Sequence, residues 1–200
     1  MGELLMRRRE MILPDGGGSW VENFTRVGNP TIEDGIMTAS SSAWITTPDS
    51  FNPGSNPWSL TIKLYRPSRL NGYEGFCGSD GLALQTPWNS DSCKLYLYSD
   101  SGTIIGGVDE KSVPAGSWKW LRIVFGGTAA TGYDYGISTD GINYTYLGYR
   151  QSGYFTATPI KAGVITLGHQ GKRNSIAKFD LMETKIEING SVWWTPYVRG

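Results

Sequence analysis

The feature that most constrains the fold is the run W-S-L-T-I-K-L at residues 58–64. Apolar and polar side chains alternate strictly along it, and a period of two places all the apolar ones on one face of a β-strand. Pro53-Gly54 and Asn56-Pro57 come just before it and mark a turn. The run therefore predicts a strand that enters from a tight turn and buries one face.

Similar segments continue along most of the chain. Further strands are predicted at residues 94–98, 118–125 and 176–188, with a return strand through residues 192–194. The 27 glycines, 8 tryptophans, 11 tyrosines and 6 phenylalanines suit short strands joined by tight turns. No stretch after residue 18 has sustained helical periodicity. About a dozen short strands predict an all-β sandwich of two antiparallel sheets. Residues 19–200 form it as a single domain without an internal repeat.

Three local irregularities are also predicted. The Asp140-Gly141 pair lies between two strand-like runs and suits a type I′ hairpin turn, which requires positive φ at both central residues. A second turn is expected at Asn189-Gly190. Along residues 176–188 the apolar phase slips between the pair Phe179 and Leu181 and the later set at 182, 186 and 188, which predicts a β-bulge.

Residues 1–18, M-G-E-L-L-M-R-R-R-E-M-I-L-P-D-G-G-G, differ from the rest of the chain. We interpret them as an anchor segment followed by a glycine-rich linker that uncouples it from the domain. Apolar side chains would occupy a groove of a partner protein, and arginines would pair with carboxylates or carbonyls. The predicted docking residues are Leu4, Leu5, Met6, Arg7, Arg8, Arg9, Met11, Ile12 and Leu13. The alternatives are a disordered terminus and a segment that packs back on its own sandwich.

Composition argues against several other roles. Lys+Arg and Asp+Glu are balanced at 18 each, so no global field favours nucleic acid, and three arginines without interleaved aromatics do not make a nucleic-acid arm. No apolar run approaches the roughly 20 residues that span a bilayer. The apolar run at residues 11–13 is too short for the core of a signal peptide. As a helix, the leader has no clean amphipathic stripe for a membrane surface.

Catalytic and metal-binding patterns are weak. Glu183 and Glu187 share a strand face, but Lys185 stands between them, so we expect a self-neutralising solvent stripe rather than an acid pair. His169 is the sole histidine and has no nucleophile elbow beside it, which makes a catalytic triad an unfavoured reading. We expect no enzyme activity, no cofactor and no metal. The one alternative is calcium, held by oxygen ligands from the loops at residues 79–80, 89–91 and 100.

Cys77 and Cys93 are compatible with one disulfide, but the absence of an export signal favours two free, buried thiols. Trp193 and Trp194 are adjacent, so on a strand one faces inward and the other needs separate cover. A partner subunit, the N-terminal segment or the chain's own loops could supply that cover.

Sugar binding is the more plausible site chemistry, because aromatic faces stack on pyranose rings with polar groups around them. The loop aromatics Tyr73, Trp88, Tyr149 and Tyr154 have this character, with Asn89, Asp91 and Gln151 nearby. The alternative is that aromatic residues mainly fill the core, as we expect for Trp58, Trp118, Phe125 and Phe179.

Several segments in order resemble one family. They are F-N-P-G-S-N-P-W at 51–58, W-K-W-L-R-I-V-F at 118–125, Y-D-Y-G-I-S-T-D-G-I-N-Y at 133–144, I-T-L-G at 165–168, F-D-L at 179–181, I-E-I-N-G at 186–190 and W-W at 193–194. This succession, covering about residues 31–197, resembles the concanavalin A-like (laminin-G-like) jelly-roll domains of bacteriophage tail, fibre and head-decoration proteins. Residues 3–11 also look like a leader frequent in such proteins.

The resemblance implies a non-enzymatic structural component of the virion, made in the host cytoplasm. It would serve as a capsid decoration, head fibre or tail protein, docked on a capsid or tail protein and displaying a lectin-like domain. Many copies would make weak contacts with cell-surface glycans effective through avidity. Self-association is left open, since fibre proteins resembling this one are commonly trimers. The alternatives are a free-standing carbohydrate-binding lectin and a glycoside hydrolase with an unfamiliar site.

Overall fold

The computed structural model describes residues 10–12, 19–88, 90–102, 104–126, 132–146, 160–171 and 173–199; for residues 10–12, 19 and 104–111 it describes the backbone alone. These residues form twenty β-strands and no helix. In the part of the chain that is described, no helix could therefore serve as a membrane span.

The first ten strands are β1 (Glu10–Ile12), β2 (Ser19–Glu22), β3 (Thr25–Val27), β4 (Thr31–Glu33), β5 (Ile36–Thr38), β6 (Trp44–Thr46), β7 (Trp58–Tyr65), β8 (Glu74–Gly78), β9 (Leu82–Thr86) and β10 (Ser92–Tyr98). The other ten are β11 (Ile104–Ser112), β12 (Trp118–Phe125), β13 (Tyr133–Ser138), β14 (Thr145–Tyr146), β15 (Thr166–Leu167), β16 (His169–Gln170), β17 (Arg173–Asn174), β18 (Lys178–Ile188), β19 (Ser191–Trp194) and β20 (Tyr197–Arg199). The predicted strands at 58–64, 94–98, 118–125, 176–188 and 192–194 are all present.

Two large antiparallel sheets build the sandwich. One has seven strands in the order β11-β10-β9-β8-β15-β6-β3, and the other has the order β14-β13-β12-β7-β18-β5-β4 with β19 also paired to β18. A three-stranded sheet, β1-β2-β20, and a hairpin of β16 and β17 complete the topology. The predicted fold class, an all-β sandwich of two antiparallel sheets, is confirmed.

Alternation along the central strands makes the core between the sheets. In β7 and β12 the register pairs Leu60 with Ile123 and Ile62 with Leu121, and all four side chains are buried. Trp58, Phe125 and Phe179 belong to the same cluster, as predicted. The prediction that Trp118 also fills the core is wrong. Since Leu121 faces inward, the period of two turns Trp118 outward, where it is only partly buried.

The irregularity in β18 is confirmed. Against β7, Asp180 pairs with Lys63 and Lys185 pairs with Thr61, so four residues of β18 oppose one residue of β7. This bulge allows Leu181 and Ile186 both to face the core despite their five-residue separation.

Turn chemistry agrees with the sequence in part. Asn189 (φ 52°) and Gly190 (φ 76°) both have positive φ in the turn between β18 and β19, as a type I′ turn requires. The hairpin of β13 and β14 is present, but its type I′ turn is not, because only Gly141 has positive φ there. The Asp140 carboxylate instead accepts hydrogen bonds from the backbone amides of Ile142 and Asn143, which builds a longer loop. These bonds hold the pKa of Asp140 well below its ordinary value.

Cys77 and Cys93 are free and buried, as favoured. They lie on β8 and β10, which are separated by β9. Two strand spacings amount to roughly 9–10 Å, beyond the ~7 Å limit for the Cα atoms of a disulfide. Burial raises the pKa of Cys93 to about 12, so its thiol is unreactive near neutral pH.

Trp193 and Trp194 are both covered by the chain's own residues. Trp194 is buried, and its indole Nε1 donates a hydrogen bond to the carbonyl oxygen of Asn23 at 2.7 Å. Trp193 packs against Phe51, with ring centroids 5.2 Å apart. The loop before β7 therefore provides the cover, and a partner subunit is not required for it.

The predicted anchor is described only in its backbone at residues 10–12. There β1 pairs with β2, with Met11 opposite Trp20 and Ile12 opposite Ser19. Of the predicted docking residues, Met11 and Ile12 lie in this strand, while Leu4, Leu5, Met6, Arg7, Arg8, Arg9 and Leu13 lie outside the described residues. The division of the chain at residue 18 stays a prediction.

Candidate functional site

Two exposed surfaces carry aromatic and charged side chains together. The first, which we call the loop cluster, comprises Tyr73, Trp88 and Arg173. Tyr73 precedes β8, Trp88 follows β9, and Arg173 begins β17, so three separate connections meet at one end of the seven-stranded sheet. Tyr73 and Trp88 were predicted from the sequence as sugar-binding residues, whereas Arg173 was not.

The geometry of the loop cluster is that of an exposed aromatic pair. The rings of Tyr73 and Trp88 meet edge to face, with centroids 6.3 Å apart and an interplanar angle of 83°. The guanidinium of Arg173 lies 4.4 Å from the centroid of the Tyr73 ring, within the range of a cation–π contact. Tyr73 is 46% exposed and Trp88 is 61% exposed. A tryptophan this exposed leaves a large apolar face available to a ligand.

Two glycines of β8 explain how Arg173 reaches this cluster. The hairpin of β16 and β17 packs directly on β8, because Gly75 and Gly78 present no side chain to it. A Cβ at Gly75 would lie 2.7 Å from the Cβ of Gln170, and one at Gly78 would lie 2.8 Å from its Cγ. This close approach holds the hairpin against the sheet and places Arg173 above Tyr73.

Asp91 is the third described residue of the predicted sugar site, and its carboxylate is already paired with two arginines. Its carboxylate accepts a hydrogen bond from Arg69, and its Oδ1 atom lies 3.1 Å from Nη1 of Arg66. The hydrogen bond from Arg69, together with the charges of both arginines, outweighs burial and lowers the pKa of Asp91. The other predicted residues, Asn89, Tyr149, Gln151 and Tyr154, lie outside the described residues, so their role stays a prediction.

The second surface is a groove on the outer face of the eight-stranded sheet, which we call the sheet groove. Its volume is about 530 Å³. Its lining residues are Trp20, Thr61, Trp120, Arg122, Gly141, Tyr144, Met182, Glu183, Thr184, Lys185, Val192, Thr195 and Tyr197. This groove was not predicted from the sequence.

Sheet register assembles the floor of the sheet groove. Thr61 of β7 pairs with Arg122 of β12 on one side and with Lys185 of β18 on the other. Residues that pair across neighbouring strands point to the same face of a sheet. Arg122 and Lys185 therefore flank Thr61 on the outer face. The three-stranded sheet contributes Trp20 and Tyr197 to the lining.

The loop between β13 and β14 also lines the sheet groove. Its backbone lies against the Trp120 indole, since a Cβ at Gly141 would be only 2.9 Å from Nε1 of Trp120. Gly141 also has a φ of 75°, which favours glycine. The same loop leads to Tyr144, whose ring centroid lies 5.9 Å from the guanidinium carbon of Arg122.

Most charges on this face are paired. Lys63 and Asp180 form a salt bridge of 2.8 Å, and Lys63 Nζ also lies 4.6 Å from the Trp120 ring centroid. Lys185 and Glu187 lie 2.9 Å apart, which confirms the Lys185–Glu187 part of the predicted self-neutralising stripe. Burial raises the pKa of Glu187, but its contacts with Lys185, Ser59 and Arg122 outweigh this, so its pKa is lowered.

His169 and the acidic loops have structural contacts. The imidazole stacks on Trp44 with centroids 4.0 Å apart, and burial lowers its pKa. The described residues contain no group of three or more His, Cys, Asp or Glu side chains that could hold a metal ion. Asp80 lies 3.5 Å from Lys161, and Asp91 binds the arginines described above. The prediction of no metal, with calcium in the loops as its alternative, stays untested.

The chain thus folds as a jelly-roll β-sandwich of two antiparallel sheets, and both surfaces lie on this scaffold. Neither a family model nor a curated protein matches the sequence. Among solved structures, the chain is similar to an alginate lyase from Alteromonas sp. 272, with a TM-score of 0.51 and 10% identity over 83% of this chain and 95% of that one. This likeness shows the fold alone.

Two binding domains of botulinum neurotoxins are also similar. One is the binding domain of neurotoxin DC, solved in complex with rat synaptotagmin II, and the other is that of serotype G. Each matches with a TM-score of 0.56 and 10% identity over 87% of this chain. The chain covers 44% of each of those structures, so it corresponds to less than half of their length.

Proposed function

We propose that the chain is a non-enzymatic, sugar-binding display module of a bacteriophage particle. The observation that carries the sugar-binding part is the exposed Tyr73–Trp88 pair with Arg173 above Tyr73. Aromatic rings provide the apolar faces on which pyranose rings stack, and an arginine provides hydrogen-bond donors for their hydroxyl groups. The jelly-roll fold supports the proposal as a scaffold that positions this loop cluster.

Replacing Trp88 with alanine is expected to weaken glycan binding about tenfold, because roughly 1–2 kcal/mol of stacking is lost. A glycan array would identify ligands of the wild-type protein, and calorimetry with the strongest ligand would then compare the variant. Val164→Ala is a matched control, since Val164 is also an exposed apolar residue and belongs to neither the loop cluster nor the sheet groove. Equal affinities of the Trp88→Ala variant and the wild type would show that the loop cluster is not the site.

The particle setting rests on the resemblance of residues 31–197 to phage jelly rolls and on the composition of residues 1–18. In this proposal the arginines and apolar residues of the leader bind a capsid or tail protein, and the sandwich projects outward. Many copies on one particle would turn weak glycan contacts into effective adhesion.

Deleting residues 1–9 is expected to abolish incorporation into particles while leaving a folded domain. This deletion removes residues before β1, whereas deletion of residues 1–15 also removes the strand that pairs with β2. Sedimentation of particles made with each protein measures incorporation, and circular dichroism checks the fold. Normal incorporation of the 1–9 deletion would contradict docking through the arginines and support the alternative of a free-standing lectin.

The hydrolase alternative requires a carboxyl group kept protonated as a general acid. In the sheet groove the surroundings of Glu187 act in the opposite direction, since its pKa is lowered. The shifted carboxyl pKa values elsewhere among the described residues, those of Asp91 and Asp140, are lowered as well. None of these three carboxyl groups has the raised pKa that a general acid needs.

A further inference from the structure

We propose that the sheet groove is a second binding site, specific for an oligosaccharide that carries carboxylate groups. The site is independent of the loop cluster, since its floor is the outer face of the eight-stranded sheet and the loop cluster belongs to connections of the seven-stranded sheet. Three features of the groove carry the inference: one incompletely paired arginine, several aromatic side chains and a suitable volume.

Arg122 is the incompletely paired cation. Lys63 and Lys185 each have a carboxylate within 2.9 Å. Arg122 lies 3.8 Å from Glu187, beyond hydrogen-bond distance, and that carboxylate already accepts hydrogen bonds from Ser59 and Lys185. The Nε atom of Arg122 is buried with no acceptor among the described residues. A ligand carboxylate could bind the guanidinium through two parallel hydrogen bonds, which is the geometry arginine favours.

The aromatic lining indicates a sugar as the bearer of that carboxylate. Trp20, Trp120 and Tyr144, all partly buried, line the groove together with the buried Tyr197. Tyr144 lies closest in the described contacts, with its ring 5.9 Å from the guanidinium carbon. Aromatic faces bind the apolar faces of pyranose rings, while the arginine binds the acid substituent. The volume of about 530 Å³ lies within the range of roughly 300–1,000 Å³ typical of small-ligand sites.

Glu183 gives the proposal a discriminating feature. It lines the groove, is exposed, and forms no salt bridge with Arg122 in the described part of the chain. Its negative charge opposes an acidic ligand, whereas it could accept hydrogen bonds from the hydroxyl groups of a neutral one. Removing that charge therefore has opposite effects on the two kinds of ligand.

Calorimetric titrations of the full chain test the site with three acidic probes: a tetragalacturonate, an alginate tetramer and a sialic acid dimer. The fully methyl-esterified tetragalacturonate is the matched neutral probe, because it keeps the sugar rings and removes the charge. At least one acidic probe is expected to bind, with an affinity that falls as the salt concentration is raised. If tetragalacturonate binds, its affinity is expected to exceed that of its methyl ester. Each titration is repeated with the Trp88→Ala variant, so that binding at the loop cluster is not mistaken for binding in the groove.

Substitutions at two positions, Arg122 and Glu183, then locate the binding. Arg122→Gln is expected to lower the affinity for the acidic probe at least tenfold. Arg122→Lys is expected to have an intermediate affinity, because lysine keeps the charge but lacks the planar pair of donors. Glu183→Gln is expected to raise the affinity for the acidic probe about two- to threefold. Val164→Ser, at an exposed position outside the groove, serves as the control. Since Glu183 is exposed, its variant keeps the test decisive even if Arg122→Gln folds poorly.

The proposal is overturned if none of the three acidic probes binds at millimolar concentration. It is also overturned if the ester binds as tightly as tetragalacturonate, or if Glu183→Gln weakens the acidic probe. Loss of binding in Trp88→Ala with no effect of Arg122→Gln would assign the acidic sugar to the loop cluster, contradicting the groove while supporting the proposed function.

Discussion

Replacing Glu74 with alanine is expected to lower the free energy of unfolding by about 3–5 kcal/mol, the cost of leaving a buried charge without its partner. Arg66 and Glu74 are 1% and 0% exposed, and Nε of Arg66 donates to Oε2 of Glu74 at 2.9 Å. The other carboxylate oxygen accepts a hydrogen bond from the hydroxyl of Ser175 at 2.9 Å. The substitution therefore leaves Nε of Arg66 and the hydroxyl of Ser175 without acceptors in the interior, and Asp91 remains as the one carboxylate partner of Arg66.

The surroundings of Arg66 explain why the chain tolerates a buried ion pair here. Its Nη1 also donates to the carbonyl oxygen of Val113 at 2.6 Å, and its Nη2 donates to that of Ser90 at 3.3 Å. The arginine thereby links the end of β7 to β8, to the chain after β11 and to the loop before β10. A buried pair with this many hydrogen bonds fixes the relative position of four segments.

Urea unfolding measures the expected loss, and Glu33→Ala is the control, since Glu33 is exposed on β4 and should change stability by no more than about 0.5 kcal/mol. The double variant Arg66→Met/Glu74→Leu should be less destabilised than the sum of its single changes, because it removes both charges together. A loss below about 1 kcal/mol for Glu74→Ala would show that the pair does not stabilise the fold in this way.

The strands and the core could largely be predicted from local periodicity, and the one core error is instructive. In β12 the apolar residues Leu121, Ile123 and Phe125 share the inner face. Strand parity alone then places Trp118 outside, but its size and hydrophobicity suggested burial. The alternation period is therefore a better guide to burial on a strand than the hydrophobicity of a single aromatic residue.

Turn type was less predictable, because dipeptides do not specify loop length. The Asp34-Gly35 pair, between β4 and β5, has φ values of 49° and 76° and does form a two-residue type I′ turn. The Asp140-Gly141 pair has the same sequence but lies in a loop closed by side-chain hydrogen bonds from Ser138 to Asp140. The register of the flanking strands decides between the two, and that register is a tertiary property.

The loop cluster and the sheet groove also differ in how far they could be predicted from the sequence. Tyr73 and Trp88 could be predicted as exposed loop aromatics because turn residues surround them, whereas Arg173 comes from a hairpin positioned by two distant glycines. The sheet groove could not be predicted, since Arg122 and Lys185 meet across Thr61 only after the bulge in β18 sets the register. Sites built from cross-strand neighbours depend on such long-range pairing and leave no pattern in the linear sequence.

Trp194 is expected to be the other position with a large effect: Trp194→Ala should lower the free energy of unfolding by about 3–5 kcal/mol. The side chain is 3% exposed, and its indole donates to the carbonyl oxygen of Asn23 at 2.7 Å. Asn23 in turn donates from its backbone to Pro196 at 2.7 Å and from its side chain to Thr195 at 3.1 Å. These three hydrogen bonds join the connection between β2 and β3 to the C-terminal segment.

The matched series Trp194→Phe and Ser191→Ala separates volume from hydrogen bonding. Phenylalanine retains much of the packing and should cost about 1–2 kcal/mol through the lost hydrogen bond, and Ser191, exposed on the same strand, should have almost no effect. Equal losses for the phenylalanine and alanine variants would contradict this division.

Amide exchange adds a local test of the same contact. Because Asn23 follows β2 directly, loss of the indole contact should speed hydrogen exchange in β2 and β20 more than in β7 and β12. Trp20 and Tyr197, which line the sheet groove, belong to those two strands. Faster exchange confined to β2 and β20 would show that Trp194 holds one side of the groove in place, whereas uniform acceleration would show that it stabilises only the sandwich as a whole.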